Sequence, residues 1–318
     1  MPRRDCEGLL AGFGVVDRGT VEMRVMVVGA TGTLGHRLCI EWADRFECWG
    51  TVRRPVEKPV EELLAPTRLI AGISAEEPGT VRSALEQAQP DVVVNCVGAV
   101  KQAESGQRPI PAIRINSLFP HELAAACRES SVRMVHISTD CVFSGERGRY
   151  SEEDVPDATD IYGRSKLLGE VSGEGMLTLR TSLIGRELQS SLGLLEWLIS
   201  NRGGSVKGFS RAVFSGLTTI GLAEEIGALL EDQPELEGLW HLASEPIDKL
   251  ELLSILNRKL ELGIEIAPDR SVTVDRSLDS SRLCRATGRE PRRWEEMVEV
   301  LAADTTPYDE IRRQLAHR

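Results

Sequence analysis

The sequence predicts an α/β fold, a doubly wound parallel sheet covered by helices, joined to a smaller C-terminal lobe. Short apolar runs alternate with helical patterns through the first two-thirds of the chain, as in repeated strand–helix–strand units. The run 91–95 is nearly continuous valine, which is typical of a strand buried on both faces. Beyond about residue 181 the alternation loosens. We therefore expect a main domain over 23–181 and a lobe over 182–318, some of whose segments return to the sheet.

Each element follows from hydrophobic periodicity, taken in chain order. Strands are predicted where apolar residues run together, and helices where they recur at helical spacing. Pro120 suits the first turn of its predicted helix, where no backbone hydrogen bond is lost. The predicted strands are 25–29, 47–51, 69–71, 91–95, 133–137, 176–180 and 239–242. The predicted helices are 33–46, 81–89, 116–130, 162–173, 192–201, 222–230 and 250–260.

Composition narrows the class of protein. The 318 residues are 41% hydrophobic, enough for a sizeable core, and the formal net charge is −11. Because binding to phosphate backbones needs a basic surface, nucleic acid is not expected as a partner. No apolar run approaches the roughly 18 residues of a spanning helix, and the cysteines and histidines show no metal-ligand spacing. We expect no membrane partner, no metal site, reduced thiols and a cytoplasmic location.

The first 22 residues differ from the rest of the chain. They carry charged residues around a short apolar stretch that glycines interrupt, which does not resemble a signal peptide. We expect residues 1–22 to be an N-terminal extension that is either disordered or precedes a natural start at Met23.

A glycine-rich turn directly follows the first predicted strand and opens the first predicted helix. It reads Gly-Ala-Thr-Gly-Thr-Leu-Gly over 29–35, a Gly-x-x-Gly-x-x-Gly run. Glycines let the backbone approach a pyrophosphate without a Cβ in the way, and the helix start offers free N–H groups to phosphate. The turn therefore predicts dinucleotide binding by a Rossmann domain over 23–181. The expected cofactor contacts are Gly29, Thr31, Gly32, Thr33, Leu34 and Gly35.

The end of the second strand discriminates between the two nicotinamide dinucleotides. An NAD enzyme usually has an acid there, which holds the ribose 2′-hydroxyl. This chain has Arg53 and Arg54 instead. Guanidinium groups bind phosphate in bidentate fashion, so the pair favours the 2′-phosphate of NADP(H). The alternative is two solvated arginines on a surface loop.

Tyr162 and Lys166 are four residues apart at the start of a predicted helix and so share one face. Thr139 stands at the carboxyl end of a central strand. A tyrosine with its ordinary pKa of about 10 is a poor acid–base catalyst, but an adjacent ammonium, together with the cationic nicotinamide of the oxidised cofactor, stabilises the phenolate and moves that pKa toward neutrality. The threonine hydroxyl can polarise the same carbonyl. We predict Thr139, Tyr162 and Lys166 as the catalytic group, with Tyr162 and Lys166 also contacting the cofactor.

These motifs together resemble those of the extended short-chain dehydrogenases/reductases, and among them the dTDP-4-dehydrorhamnose reductases. The most specific stretches are Ser-Thr-Asp-Cys-Val-Phe-Ser-Gly over 138–145 and Tyr-Gly-Arg-Ser-Lys-Leu-Leu-Gly-Glu over 162–170. The resemblance implies that Asn116 helps to position the lysine. We also expect Cys96 and Val97, just after the fourth strand, among the cofactor contacts.

The same resemblance implies a reaction. NADPH would deliver a hydride to the C4 ketone of a nucleotide-linked 6-deoxy-4-ketohexose, and Tyr162 would supply the proton. The implied pathway is nucleotide-sugar and polysaccharide biosynthesis, and a homodimer is one assembly that the resemblance allows. The identity of the sugar, the nucleotide, the oligomeric state and any structural divalent cation stay open at this point.

Some positions depart from the rhamnose-type pattern. Leu183 stands where those reductases tend to carry a tryptophan that packs on the sugar, and leucine offers no flat ring. A UDP-linked 2-acetamido-2,6-dideoxy-4-ketohexose is therefore an alternative substrate. The candidate substrate contacts are Lys101, Asp140, Leu183, Arg186 and Arg211.

Three further functions belong to relatives of this fold. A sugar-nucleotide dehydratase needs a second carboxylate after Asp140, but Cys141 stands there, so dehydration is disfavoured. An epimerase or epimerase-reductase would use Cys141 with a histidine, and the corresponding position holds Glu187. A non-catalytic NADP-binding regulatory subunit, as in methionine adenosyltransferase, would not need Thr139, Tyr162 and Lys166 all together. The ketoreductase is the leading hypothesis.

Overall fold

The computed structural model of the chain describes residues 23–77, 79–101 and 103–316. The predicted extension over 1–22 lies outside the described residues. A π-helical segment (Ile113–Leu118) runs into the sixth helix, and a 3₁₀ turn (Asp140–Val142) follows the fifth strand. In chain order the strands are β1 (Arg24–Val28), β2 (Glu47–Val52), β3 (Arg68–Ala71), β4 (Val92–Asn95), β5 (Arg133–Thr139), β6 (Met176–Thr181), β7 (Leu183–Ile184), β8 (Ser205–Phe209), β9 (Ala212–Phe214), β10 (Leu217–Thr218), β11 (Gly238–His241), β12 (Ile247–Asp248), β13 (Glu265–Asp269) and β14 (Val274–Asp275). The helices are α1 (Gly35–Glu41), α2 (Lys58–Leu63), α3 (Gly79–Ala88), α4 (Glu104–Gln107), α5 (Pro109–Ala112), α6 (Phe119–Glu129), α7 (Ile161–Leu168), α8 (Leu194–Ser200), α9 (Thr219–Asp232), α10 (Lys249–Lys259), α11 (Ser281–Thr287), α12 (Trp294–Ala302) and α13 (Tyr308–Ala316).

Within the described residues, seven strands form one large sheet whose neighbouring strands all run parallel. Their spatial order is β3-β2-β1-β4-β5-β6-β11. The chain proceeds outward from β1 to β3, returns to place β4 on the other side of β1, and continues outward from there. Connections therefore diverge between β1 and β4, which end at the paired residues Val28 and Asn95. In sheets of this kind, ligands bind at that point, outside the carboxyl ends of the strands.

Both faces of the sheet are covered by helices. Val25 and Val27 of β1 join the core cluster that includes α1 and α9, whereas Met26 and Val28 join the one that includes α3 and α6. All four residues of β4 are buried. Strands buried on both faces need continuous rather than alternating apolar residues, which is what the sequence shows. The predicted doubly wound α/β fold is confirmed.

The predicted strands agree with the structure to within two residues, but two predicted helices end too late. Helix α1 ends at Glu41 because Trp42 begins a turn that buries its ring. The Nε1 of Trp42 donates a hydrogen bond of 2.9 Å to the carbonyl of Ala223. Helix α7 ends at Leu168, and Glu170 then leaves the helical path to reach Arg180 in the core. In both cases a contact distant in sequence overrides the local helical pattern.

Beyond β6 the chain builds small sheets and also returns to the large one. Strand β8 pairs with β13, β9 lies between β12 and β14, and β11 pairs with β6 in the large sheet. This region packs on the loop that follows β5, where the N–H of Asp275 donates a hydrogen bond of 2.7 Å to the carbonyl of Gly145. In the described ranges, no helix is long and apolar enough to cross a membrane.

The start of α1 allows a direct test of how the glycine turn packs. A Cβ on Gly35 would lie 2.1 Å from the carbonyl oxygen of Gly29, whereas one on Gly79, at the start of α3, would meet nothing within 4 Å. We expect Gly35→Ala to lower the free energy of unfolding by about 1–3 kcal/mol, because backbone must move to make room. Gly79→Ala, the matched control, should leave it unchanged or raise it by up to about 1 kcal/mol. Urea denaturation measures both, and equal midpoints would show that the turn tolerates a side chain.

Candidate active site

The glycine turn lies at the carboxyl end of β1, where the connections diverge. Gly29 has a φ of +91°, and a Cβ there would contact Val97 Cγ2 at 2.9 Å, so the turn packs tightly on the segment after β4. Thr31 and Thr33 are partly exposed and Gly32 is exposed, which leaves the rim of the turn accessible to a ligand.

Three further predicted cofactor contacts lie near this turn. Leu34 is 4% exposed and belongs to the hydrophobic core, so only its backbone can face a ligand. Cys96 and Val97 are partly buried directly after β4, and the N–H of Cys96 donates to the carbonyl of Val28 at 3.0 Å. This bond keeps the segment after β4 against the end of β1.

Arg53 and Arg54 follow β2 and are both exposed. In the part of the chain that the structure describes, neither forms an ion pair. They lie beyond Val52, the last residue of β2, at the carboxyl edge of the sheet that also carries the glycine turn. Two guanidinium groups are therefore free to bind an anion there.

Tyr162 is brought close to Thr139 by a close backbone approach. A Cβ on Gly163 would lie 2.2 Å from the carbonyl oxygen of Cys141, so only glycine lets α7 pack this closely on the turn that follows β5. Asp160 caps α7 by accepting a hydrogen bond of 2.8 Å from the N–H of Gly163. The helix start is thus fixed in place beside the end of β5.

Among the described residues, the net effect on Tyr162 is a raised pKa. Burial raises this pKa well above its usual value, Cys141 and Asp140 raise it further, and a hydrogen bond with the Thr139 hydroxyl lowers it. The ammonium of Lys166 points elsewhere, donating a hydrogen bond of 2.7 Å to the carbonyl of Ile137. Without a bound ligand, the phenol therefore stays protonated and available as a proton donor.

Lys166 is 5% exposed, and its charge is poorly compensated. Burial lowers its pKa to about 8, while Glu170 and Cys96 oppose the shift. An ammonium held this way is stabilised by any negative charge or hydroxyl acceptor that enters the site.

Asn116 lies in the π-helical segment that precedes α6. Its Oδ1 accepts a hydrogen bond of 2.8 Å from the N–H of Ala99, and its Nδ2 donates to the carbonyl of Ala99 and to Ser165 Oγ, each at 3.1 Å. It therefore joins the segment after β4 to the residue preceding Lys166, without touching the ammonium itself. π-Helical segments occur preferentially at functional sites.

Two of the predicted substrate contacts, Asp140 and Lys101, lie near the catalytic residues. Asp140 is 5% exposed and burial raises its pKa, while Lys101 forms an ion pair of 2.6 Å with Asp160. Leu183 is partly buried on β7. Arg211 is exposed beside β9.

The prediction that Arg186 contacts substrate is not supported by its surroundings. Its guanidinium pairs with Glu196 at 2.8 Å and with Asp309 at 2.7 Å, and it lies over the ring of Tyr308. These partners come from α8 and α13 and occupy Nε and Nη2 of the guanidinium. Nothing local in the sequence signals these pairs, which lie 10 and 123 residues away.

Two cations near the site have no signal in the sequence. Lys249, the first residue of α10, lies over the ring of Phe214, and burial lowers its pKa to about 8 while Asp140 and Cys141 oppose the shift. Arg276 follows β14 and donates a hydrogen bond of 2.9 Å to the carbonyl of Phe143. Each is more than a hundred residues from Asp140 in the chain, so only the fold brings them to it.

Comparison with known proteins places this geometry in context. A family model described as the RmlD substrate binding domain matches residues 23–247. The "dTDP-4-keto-6-deoxy-D-glucose reductase" of Streptomyces niveus is 34% identical over 46% of this chain and 46% of its own length. The "Spore coat polysaccharide biosynthesis protein SpsK" of Bacillus subtilis is 27% identical over 86% of this chain and 95% of its own length. The chain thus covers under half of the first relative and nearly all of the second.

A solved structure shares the fold at lower identity. It is the dTDP-4-dehydrorhamnose reductase from Bacillus anthracis in complex with NADP, which has a TM-score of 0.73 at 19% identity and covers 88% of this chain and 98% of its own. The similarity supports the Rossmann-type architecture described above.

The buried ammonium of Lys166 predicts a pH-dependent cost to stability. In the cofactor-free protein its pKa is about 8 rather than 10.5, so unfolding takes up a proton between these values and the native state gains stability as pH rises through them. We expect Lys166→Met to be more stable than the wild type at pH 7 by up to about 3 kcal/mol, since one pKa unit corresponds to about 1.4 kcal/mol. The advantage should shrink as pH approaches 10.5.

Chemical denaturation of both proteins across this pH range provides the measurement. Lys58→Met is the control, because Lys58 is 77% exposed and pairs only with Glu62 one turn away. A Lys166→Met variant that is less stable than the wild type at pH 7 would contradict the assignment of an uncompensated charge.

Proposed function

The chain belongs to the RmlD substrate binding domain family, and from that premise we propose that it is an NADPH-dependent ketoreductase of nucleotide-linked sugars. Its substrate in this proposal carries the 4-keto group of a 6-deoxy-4-ketohexose, as in the reaction of a dTDP-4-dehydrorhamnose reductase. The observation that carries the proposal is the close approach of Gly163 to the carbonyl of Cys141. This approach brings Tyr162 to the hydroxyl of Thr139, at the edge of the sheet where the connections diverge between β1 and β4.

The residues around the glycine turn fit this cofactor. Gly29 and Gly35 allow the turn to pack closely on Val97 and on its own backbone, and Thr31, Gly32 and Thr33 are accessible on the rim. Arg53 and Arg54 are exposed at the same edge and suit a 2′-phosphate, because guanidinium groups bind phosphate in bidentate fashion. Asn116, Cys96 and Val97 complete the proposed cofactor site.

Three side chains carry the proposed reduction. When bound, NADPH supplies the hydride to the carbonyl carbon. The hydroxyl of Thr139 and the phenol of Tyr162 donate hydrogen bonds to the carbonyl oxygen, which takes up the electron pair of the C=O bond. Tyr162 gives its proton to that oxygen, and Lys166 stabilises the phenolate until water returns the proton. The raised pKa of Tyr162 keeps the proton in place until charge develops on the substrate.

The alternative of epimerisation lacks a base. Burial and the carboxylate of Asp140 raise the pKa of Cys141 to about 12, so the thiol stays protonated at neutral pH. Glu187, where a histidine partner would fall, is buried and accepts hydrogen bonds from the N–H groups of Leu192 and Gly193. Both groups are therefore unsuited to removing and returning a carbon-bound proton.

We further propose that residues 23–181 hold the cofactor and that 182–318 mainly hold the substrate. Asp140, Lys101, Leu183 and Arg211 remain candidates for substrate contact, with Arg186 now removed. A cytoplasmic location, a homodimer and a role in polysaccharide biosynthesis belong to the same proposal.

Replacing Tyr162 tests the chemistry. We expect Tyr162→Phe to lower turnover by on the order of 10²-fold or more while NADPH binds with nearly unchanged affinity, because only the proton donor is lost. Turnover is measured as NADPH oxidation with a panel of dTDP-, UDP- and GDP-linked 4-ketosugars. Unchanged turnover in the variant would remove Tyr162 from this role. A wild type that converts ketosugars to isomers without consuming NADPH would replace the reductase by an epimerase.

The cofactor preference has its own test. We expect the double variant Arg53→Ser, Arg54→Ser to raise the Kd for NADPH by about 10- to 100-fold and to leave the Kd for NADH within a factor of about 3, because only NADPH carries the 2′-phosphate. Fluorescence titration measures both constants. Arg258→Ser is the control for loss of a surface charge, because Arg258 on α10 forms an exposed ion pair with Glu295 on α12. Equal weakening of both cofactors would show that the arginines do not discriminate between them.

A further inference from the structure

Lys249 carries an ammonium group that the described chain leaves without an acceptor. Its Nζ lies 3.5 Å from the centroid of the Phe214 ring, and within the described residues this nitrogen makes neither a hydrogen bond nor an ion pair. The side chain is only partly exposed. An ammonium that has lost part of its hydration and lies over an aromatic ring is stabilised by any oxygen acceptor brought to it.

The position of this ammonium is fixed by two elements. Strand β12 pairs antiparallel with β9 so that Ile247 lies opposite Phe214. Asp248 then caps α10 by accepting a hydrogen bond of 2.9 Å from the N–H of Glu251. Lys249 is the first helical residue after that cap, which places its side chain on the Phe214 ring without a flexible loop between them.

Lys249 faces the turn that carries the proposed chemistry. The N–H of Arg276 donates a hydrogen bond of 3.0 Å to the carbonyl of Val213, which precedes Phe214, and the Arg276 side chain donates one of 2.9 Å to the carbonyl of Phe143. Phe143 follows Thr139, whose hydroxyl is proposed to contact the reacting carbonyl, by four residues. These bonds tie the ring under Lys249 to the turn after β5, so a group bound to Lys249 would lie near the reacting part of the sugar.

The other cations around this turn already have acceptors. Lys101 forms its ion pair with Asp160, and Arg276 donates to the carbonyl of Phe143. Asp140 is buried, and within the described residues it forms no ion pair with Lys249. Among these three cations, Lys249 alone lacks an oxygen acceptor in the described part of the chain.

We propose that Lys249 donates a hydrogen bond to an oxygen on the glycosyl unit of the nucleotide sugar and thereby orients the ring for reduction. This inference rests on the proposed function. The contact is directional, and it matters more here because Leu183 provides no flat surface for the sugar to stack on. Lys249 acts in substrate binding and exchanges no proton with the reacting carbonyl.

The test compares Lys249→Met with the wild type, using dTDP-4-dehydrorhamnose as substrate. We expect the KM for this nucleotide sugar to rise about 10- to 100-fold, the range for loss of a hydrogen bond from a charged donor. The kcat, the KM for NADPH and the Kd for dTDP alone should each stay within a factor of about 3. Lys249→Arg should recover part of the lost affinity. Lys207→Met, at an exposed ion pair with Asp269 in the same region, is the matched control.

Product binding separates this inference from the proposed reaction. Calorimetry with dTDP-rhamnose requires no turnover, and the Kd should rise in Lys249→Met by the same factor as the KM. If the wild type reduces no ketosugar while this loss of affinity is observed, the proposed function fails and the inference stands. An unchanged KM and Kd in Lys249→Met would overturn the inference. An equal loss of affinity for dTDP alone would assign the ammonium to the pyrophosphate and overturn the sugar contact.

Discussion

The buried ion pair between Glu170 and Arg180 holds together the elements that form the site. Nε and Nη2 of Arg180 each lie 2.7 Å from a different carboxylate oxygen of Glu170, and Ser138 Oγ donates to the same carboxylate at 2.7 Å. Charges buried in a protein interior are tolerated only when they are paired and hydrogen-bonded. The end of β5, the segment after α7 and the end of β6 must therefore keep their mutual positions.

Those positions determine the chemistry that the site can perform. Ser138 directly precedes Thr139, and Glu170 follows Lys166 by four residues, just after the end of α7, so the ion pair is linked to both functional side chains. Burial lowers the pKa of Lys166 to about 8, and the carboxylate of Glu170 limits how far it falls. The pair thus helps to keep Lys166 charged on the helix that carries Tyr162, and the close approach of Gly163 to Cys141 places the phenol at the Thr139 hydroxyl.

The site also holds two ammonium groups whose charge the described residues compensate only in part. Burial lowers the pKa of both Lys166 and Lys249 to about 8, and the shift is opposed by Glu170 at Lys166 and by Asp140 at Lys249. Such arrangements cost stability and are typical of binding and catalytic sites, where a ligand supplies the missing partner. The rest of the fold, with its two apolar layers around a parallel sheet, supplies the stability that tolerates them.

The sequence alone determined the large sheet, the glycine turn and the spacing of Thr139, Tyr162 and Lys166, because these depend on local periodicity and on neighbours a few residues apart. It did not reveal the end of α1 at Glu41, the π-helical segment around Asn116 or the short strands beyond β6, where packing partners decide the local structure. Only the tertiary structure paired Arg186 with Asp309 and set Lys249 beside Asp140. Charged side chains in a sequence carry no mark of their partners, since ion pairs form between residues that folding alone brings together.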